Sequence, residues 1–192
     1  MQPGNIILLN GVSSSGKSTL ARALVEQLPG YFYLSIDDFD LLIDRMEDRK
    51  KQRLIPVETE YFFHKTIALF AERGINLVVD HILHDDFTQH DIFEALAEFP
   101  IFFVGVQCPL EELERREQLR GDRRIGQARQ QLKFVHRIEV YDVVVDTTCD
   151  VQTCVGQVLA VLQTGDFPKG WRLTQAKLLE QRVECTETDF TK

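Results

Sequence analysis

Short apolar runs alternate along most of this chain with stretches whose apolar residues recur at helical spacing. Strands are predicted at residues 5–10, 31–36, 75–80, 101–107 and 142–146, and helices at 18–28, 38–45, 58–72, 86–98, 110–120, 127–136 and 151–162. The first strand is almost entirely apolar, as expected for a strand that is covered on both faces. Alternating strands and helices are typical of βαβ units, so the pattern predicts an α/β fold with a five-stranded parallel sheet.

The pattern changes near the C-terminus. Gly165, Pro168 and Gly170 interrupt it, and residues 174–183 follow as a possible short amphipathic helix outside the main sheet. We therefore divide the chain into one domain at residues 1–164 and a C-terminal extension at 165–192.

The strongest chemical signal lies between the first strand and the first helix. The segment Gly11-Val-Ser-Ser-Ser-Gly16-Lys17-Ser18 matches the phosphate-loop pattern G-x-x-x-x-G-K-[ST], and Thr19 follows it. Such a loop binds phosphate oxygens with its backbone N–H groups, while the helix N-terminus adds its positive dipole end. We expect the nucleotide to contact Gly11, Ser13, Ser14, Ser15, Gly16, Lys17, Ser18 and Thr19. Lys17 would reach the β- and γ-phosphates, and Ser18 would bind Mg²⁺.

Aspartates end two of the predicted strands, where ligands gather in open parallel sheets. Asp37 and Asp38 follow the second strand, and we predict Asp37 as the general base and Asp38 as the N-cap of the next helix. Asp80 ends the third strand and is predicted to position Mg²⁺ together with Ser18. His81 and His84 would line the same pocket, without holding a metal of their own.

An arginine-rich segment follows the fourth strand in an otherwise acidic chain. The glycines at 121 and 126 flank a short stretch, so we predict a lid at about residues 120–126 that closes on the nucleotide with Arg120 and Arg123. Arg116 is expected to contact the nucleotide as well. The alternative is a solvated helix face whose arginines pair with glutamates.

Composition narrows the class of protein. The chain has 192 residues, with 22 Lys plus Arg against 30 Asp plus Glu and a formal net charge of −8. This balance disfavours non-specific binding to nucleic acid or to an anionic membrane. No signal peptide, membrane span or paired-cysteine motif stands out, so we expect a cytoplasmic protein with reduced thiols.

The later motifs resemble those of the chloramphenicol phosphotransferase-like family of small P-loop kinases, over about residues 6–162. The telling stretches are Gly105-Val-Gln-Cys108, Arg120-Gly-Asp-Arg123, Val135-His136, Tyr141-Asp142 and Val145-Asp-Thr-Thr148. The resemblance implies a P-loop NTPase three-layer sandwich of the nucleoside-monophosphate-kinase type. It also implies transfer of the γ-phosphoryl group of ATP to a hydroxyl. In that scheme Asp37 is the base, Lys17 and Ser18 belong to the phosphate loop, and Arg120 and Arg123 are lid arginines.

These observations predict a kinase that uses ATP and Mg²⁺ to phosphorylate a small hydroxylated molecule. The charged stretch 39–63 differs from the antibiotic-modifying members, which bears on the acceptor. The alternatives are a nucleotide or sugar kinase of the same fold, or a nucleotide-dependent ATPase or switch that acts on a protein partner.

Overall fold

The computed structural model describes residues 2–120, 125–165 and 169–189. Its centre is one sheet of five parallel strands: β1 (Ile6–Asn10), β2 (Tyr31–Ser35), β3 (Asn76–His81), β4 (Ile101–Gln107) and β5 (Val143–Asp146). The strand order is β2-β3-β1-β4-β5. The predicted α/β fold with a five-stranded parallel sheet is confirmed.

Helices connect and cover the strands. They are α1 (Lys17–Gln27), α2 (Ile36–Met46), α3 (Thr59–Glu72), α4 (Asp86–Ala95), α5 (Leu110–Arg120), α6 (Gln127–Gln131), α7 (Val151–Gln163) and α8 (Lys169–Asp189), with a short 3-10 helix at Arg49–Lys51. Among the described residues, no helix combines the length and the apolar character that crossing a bilayer would require.

Apolar side chains fill both faces of the sheet, which gives the predicted three layers. On one face Ile7 and Leu9 of β1 pack with residues of α1 and α7, including Leu24 and Val155. On the other face Ile6 and Leu8 belong to a second cluster, built mainly with residues of α3, α4 and α8. Because consecutive residues of a strand point to opposite faces, a run without polar interruption is what burial on both faces requires.

Several predicted element boundaries differ from the observed ones, and three of them bear on the site or on its neighbours. The second strand stops at Ser35, which is the N-cap of α2, so Asp38 lies in the first helical turn and is not the cap. The helix predicted at 127–136 ends at Gln131, and His136 has the left-handed φ of 71° that a helix cannot contain. The helix predicted at 86–98 ends at Ala95.

The helix α8 is longer than the predicted stretch 174–183 and packs on β4. Trp171 in its first turn is 1% exposed. Its ring stacks on Phe93 at 4.0 Å between centroids and meets Phe103 of β4 edge-on at 5.3 Å. The first turns of α8 are therefore part of the core.

The position of β1 determines where a ligand site lies. β1 lies between β3 and β4. After β1 the chain forms β2 and β3 on one side of it and then β4 and β5 on the other side. In open α/β sheets the crevice at the carboxyl ends of such strands is the usual ligand site. Asn10, His81 and Gly105 are in register there.

Candidate active site

A cavity of about 760 Å³ opens at the carboxyl ends of the strands. The predicted site residues in its wall are Ser13, Ser14, Gly16, Lys17, Ser18, Thr19, Asp37, Asp80, Arg116 and Arg120. Gly11 and Ser15 lie behind the wall. Ser15 is fully buried, and a side chain at Gly11 would meet the carbonyl oxygen of Val106. Arg123 lies outside the described residues.

The phosphate loop forms because two of its residues adopt left-handed backbone conformations. Gly16 has a φ of 94° and Ser14 a φ of 62°, and the former is the N-cap of α1. Glycine suits that position because it has no Cβ to clash there. The Lys17 ammonium donates to the carbonyl of Val12 at 2.9 Å, so the lysine folds back over the loop. The loop thus has its curled shape in this structure.

The second predicted pair lies at the start of α1 and near the end of β3. The Ser18 hydroxyl donates to Asp80 Oδ2 at 2.5 Å, and the hydroxyl of Tyr33 donates to the same oxygen at 3.2 Å. Asp80 is 4% exposed. A serine hydroxyl and a carboxylate on adjacent elements are hard oxygen ligands of the kind Mg²⁺ takes beside phosphate. The donor set fits that ion.

Arg116 of α5 ties three segments together. Its guanidinium donates to Thr147 Oγ1 at 3.1 Å, to the Thr147 carbonyl at 2.7 Å and to the Ser14 carbonyl at 3.4 Å. Glu112 accepts hydrogen bonds from Arg115 and Arg116, and these bonds hold the pKa of Glu112 down to about 2. Pairing of these helical arginines with a nearby glutamate was expected. Arg116 also lies in the cavity wall, and its contact with a nucleotide stays a prediction.

The helix α6 stands against the phosphate loop. Glu117 of α5 is fully buried and accepts from the backbone N–H groups of Gly126 at 2.8 Å and Ala128 at 2.7 Å. One turn later, Gln131 accepts from the Ser13 N–H at 2.7 Å. Gln127 and Gln131 both line the cavity. Sequence analysis missed them, because a glutamine on a short polar helix carries no signal of its own.

Part of the cavity wall is acidic. Asp37 and Asp38 are both exposed in the first turn of α2, but only Asp37 lies in the cavity wall. Asp40 and Glu60 join Asp37 there. Partial loss of hydration, followed by the nearby charge of Glu60, raises the pKa of Asp40.

A buried imidazole pair lies behind that wall. His64 Nδ1 is 2.5 Å from Asp91 Oδ2, and His64 Nε2 is 2.8 Å from His81 Nε2. Both rings are fully buried. Burial lowers the pKa of His64 and lowers that of His81 well below its usual value. His81 and His84 both line the cavity, which is consistent with their prediction as pocket residues. The contacts of His64 with His81 and Asp91 join α3 to β3 and to α4.

A second polar network lies under the end of β1. Asn10 Nδ2 donates to the Tyr141 hydroxyl at 2.9 Å, and that hydroxyl is within hydrogen-bond distance of His136 Nδ1, at 2.7 Å. Glu139 and Gln89 extend the network. Burial first, and then the charge of Lys17, lower the pKa of His136 to about 4. Tyr141 also packs against Gly105, where an added Cβ would lie 2.6 Å from its ring.

Comparison with known proteins agrees with this geometry. The family described as chloramphenicol phosphotransferase-like protein matches residues 4–163. The chain belongs to this family. A Mycobacterium tuberculosis protein provisionally named an O-phosphotransferase is 28% identical, and the match covers 77% of this chain and 77% of the relative.

Solved structures share the fold. A gluconokinase from Sinorhizobium meliloti 1021 is 22% identical, with a TM-score of 0.61 over 93% of this chain and 98% of its own. The Mycobacterium tuberculosis APS kinase CysC, in complex with AMPPNP and APS, is 19% identical, with a TM-score of 0.60 over 85% and 99%. The predicted P-loop kinase fold is confirmed. The chloramphenicol phosphotransferase-like region ends at residue 163, so α8 lies beyond it.

Proposed function

We propose that this chloramphenicol phosphotransferase-like protein transfers the γ-phosphoryl group of ATP to a hydroxyl of a small molecule. The observation that carries the proposal is that one cavity brings Lys17 and the Ser18–Asp80 pair together with the carboxylate of Asp37 on the facing wall. Phosphoryl transfer needs little beyond positioning and charge stabilisation, and these groups supply both.

Ser18 and Asp80 would hold Mg²⁺. The Ser18 hydroxyl and the Asp80 carboxylate are already within hydrogen-bond distance of each other, and the Tyr33 hydroxyl donates to the same carboxylate oxygen and orients it. When bound, the ion neutralises negative charge on the phosphates. Tyr33 therefore acts as a positioning residue for Asp80.

Asp37 is the proposed general base. A carboxylate within hydrogen-bond reach of a hydroxyl accepts its proton as the oxygen attacks phosphorus. The first turn of α2 presents Asp37 to the cavity, while Asp38 on the same turn is not in the wall. This difference supports Asp37 over its neighbour.

Cations surround the opposite side of the cavity. Lys17 and Arg120 lie in the wall, and Arg116 is held there by Thr147. Their charges would stabilise the negative charge that spreads over the transferred group. Arg123, outside the described residues, is proposed to join them from a lid at about residues 120–126.

The acceptor is proposed to be a small polar molecule that shares the cavity with the nucleotide. Asp40 and Glu60 make its end of the wall rich in hydrogen-bond acceptors, which suits a compound with several hydroxyl groups. A sugar or nucleotide acceptor belongs to the same proposal.

The test is release of ADP from ATP and Mg²⁺ in the presence of a panel of hydroxylated metabolites, sugars, nucleosides and antibiotics. We expect little turnover without an acceptor and clear turnover with one class of compound. In that assay Asp37→Asn should lower turnover about 10²–10⁴-fold, the range for loss of a general base. Asp38→Asn is the matched control and should stay near the wild type.

Two outcomes would contradict the proposal. Rapid ATP hydrolysis that no compound stimulates would favour an ATPase or a switch. Damage by Asp38→Asn with a mild effect of Asp37→Asn would move the base to the other aspartate.

A further inference from the structure

Gln131 has a fixed orientation beside the phosphate loop. Its Oε1 accepts from the backbone N–H of Ser13 at 2.7 Å. An N–H group can only donate, so the oxygen of the carboxamide must face the loop and the NH₂ group must face away from that N–H. The orientation of this amide therefore follows from the chemistry of its partner.

The position of Gln131 is fixed because α6 is anchored to α5. Buried Glu117 binds the N–H groups of Gly126 and Ala128 and so anchors the start of α6 to α5. Ala128 is itself fully buried. Gln131 follows one turn later on this anchored helix, which makes its side chain a fixed part of the cavity wall.

The two N–H donors of Gln131 Nε2 have no acceptor among residues 2–120, 125–165 and 169–180. Polar groups that find no partner in the protein are paired with water or with a ligand, and Gln131 lies in the cavity wall, where either can reach it. Nε2 shares one carbon with the oxygen bound to Ser13, so it lies directly beside the loop. Val12 precedes Ser13 in the loop, and its carbonyl oxygen accepts a hydrogen bond from the Lys17 ammonium at 2.9 Å.

This places a neutral double donor and a cation at the same end of the loop. Phosphate-loop lysines reach the β- and γ-phosphates, while the amides at the helix start cradle the inner phosphates. We propose that Gln131 Nε2 donates a hydrogen bond to the terminal phosphoryl group of the bound nucleoside triphosphate. This inference rests on the proposed function, and it adds a binding residue that discriminates triphosphate from diphosphate.

Gln131→Glu is the decisive variant. It keeps an oxygen to accept from Ser13 and nearly the same shape, but it replaces the NH₂ donor with a second carboxylate oxygen. Gln131→Met is the second variant, since it keeps a similar volume and removes both polar groups. Gln130→Glu on the same helix adds the same charge at an exposed position outside the wall and serves as control.

The experiment measures the affinity of each purified protein for ATP and for ADP, both with Mg²⁺, by titration calorimetry. Loss of a hydrogen bond to a charged phosphate oxygen is expected to weaken ATP binding about tenfold in Gln131→Met, and more in Gln131→Glu. ADP affinity should change much less in both, and Gln130→Glu should bind both nucleotides like the wild type.

Equal weakening of ATP and ADP would mean that Gln131 only supports the loop, and it would overturn the inference. Unchanged affinity for both nucleotides would overturn it as well. Failure of the wild type to bind ATP would instead reject the proposed function. Thermal melts of all four proteins establish that each comparison is made between folded chains.

Discussion

Replacement of Glu117 by glutamine tests how α6 is anchored to α5. Glu117 is 0% exposed, and its two oxygens accept from Gly126 N at 2.8 Å and Ala128 N at 2.7 Å. In Glu117→Gln one of these oxygens becomes an NH₂ group. That group would face a backbone N–H, so one bond is lost and two donors confront each other in a buried site.

The magnitude follows from those two contacts. A hydrogen bond to a charged group contributes about 1.5–3 kcal/mol, and the unpaired buried donor moves the loss to the upper end of that range or slightly beyond it. We expect Glu117→Gln to lower the free energy of unfolding by about 2–4 kcal/mol. For a protein of this length that corresponds to a fall in Tm of about 5–15 °C.

The same helix provides a matched control. Glu114 also connects α5 to α6, through an ion pair with Arg129 at 2.7 Å, but the two side chains are 31% and 60% exposed. An exposed pair of this kind contributes about 0–1 kcal/mol. Glu114→Gln should therefore change stability little, although it removes the same charge from the same pair of helices.

The assay is equilibrium unfolding in urea, followed by far-UV circular dichroism, with thermal melts in parallel. If Glu117→Gln and Glu114→Gln lose the same small amount of stability, the buried carboxylate does not anchor α6 as the geometry indicates. A loss confined to Glu117→Gln supports the anchor.

Two further predictions concern stability. Trp171→Ala should lower the free energy of unfolding by about 3–5 kcal/mol, because it opens a cavity between Phe93 and Phe103. Leu173→Ala, at a position 52% exposed, is the control in the same urea titration. Equal losses of stability in the two variants would refute the packing argument. Burial and the charge of Lys17 hold the pKa of His136 at about 4, below the ordinary histidine value of about 6.5. The unfolded chain therefore binds the proton first, and stability falls as pH drops from about 6.5 to about 4. His136→Asn, whose side chain tolerates the left-handed φ of 71°, should flatten that acid limb in melts recorded across this pH range, and an unchanged slope would assign the acid sensitivity to other groups.

Much of the fold was predictable because its sequence signals are local. The run 5–10 and the phosphate-loop pattern after it specify a buried strand, a tight turn and a helix without reference to any distant residue. Two of the boundary errors, at Asp38 and at residues 132–136, have related causes. Periodicity continues through each predicted boundary, while α2 begins after the extended backbone of Ser35 and the left-handed φ of His136 prevents a helix from reaching the predicted end.

The candidate site was predictable where a residue type has a recognised role at a fixed spacing. Lys17, Ser18 and Asp80 are of that kind, and the structure brings the last two within 2.5 Å. Gln131 and Glu117 were not, because their roles depend on which backbone N–H groups lie nearby after folding. The buried pair of His64 and His81 is separated by 17 residues and becomes visible only once α3 packs on β3.

The backbone of the phosphate loop is held at four consecutive residues. Lys17 holds the carbonyl of Val12, Gln131 the N–H of Ser13, Arg116 the carbonyl of Ser14, and Thr147 the carbonyl of Ser15 at 2.6 Å. Because the loop already has a fixed conformation, nucleotide binding does not have to order it, and the entropic cost of association is small. The phosphate loop itself should then add no slow ordering step to nucleotide capture, so any saturating phase in the binding kinetics should arise elsewhere in the site.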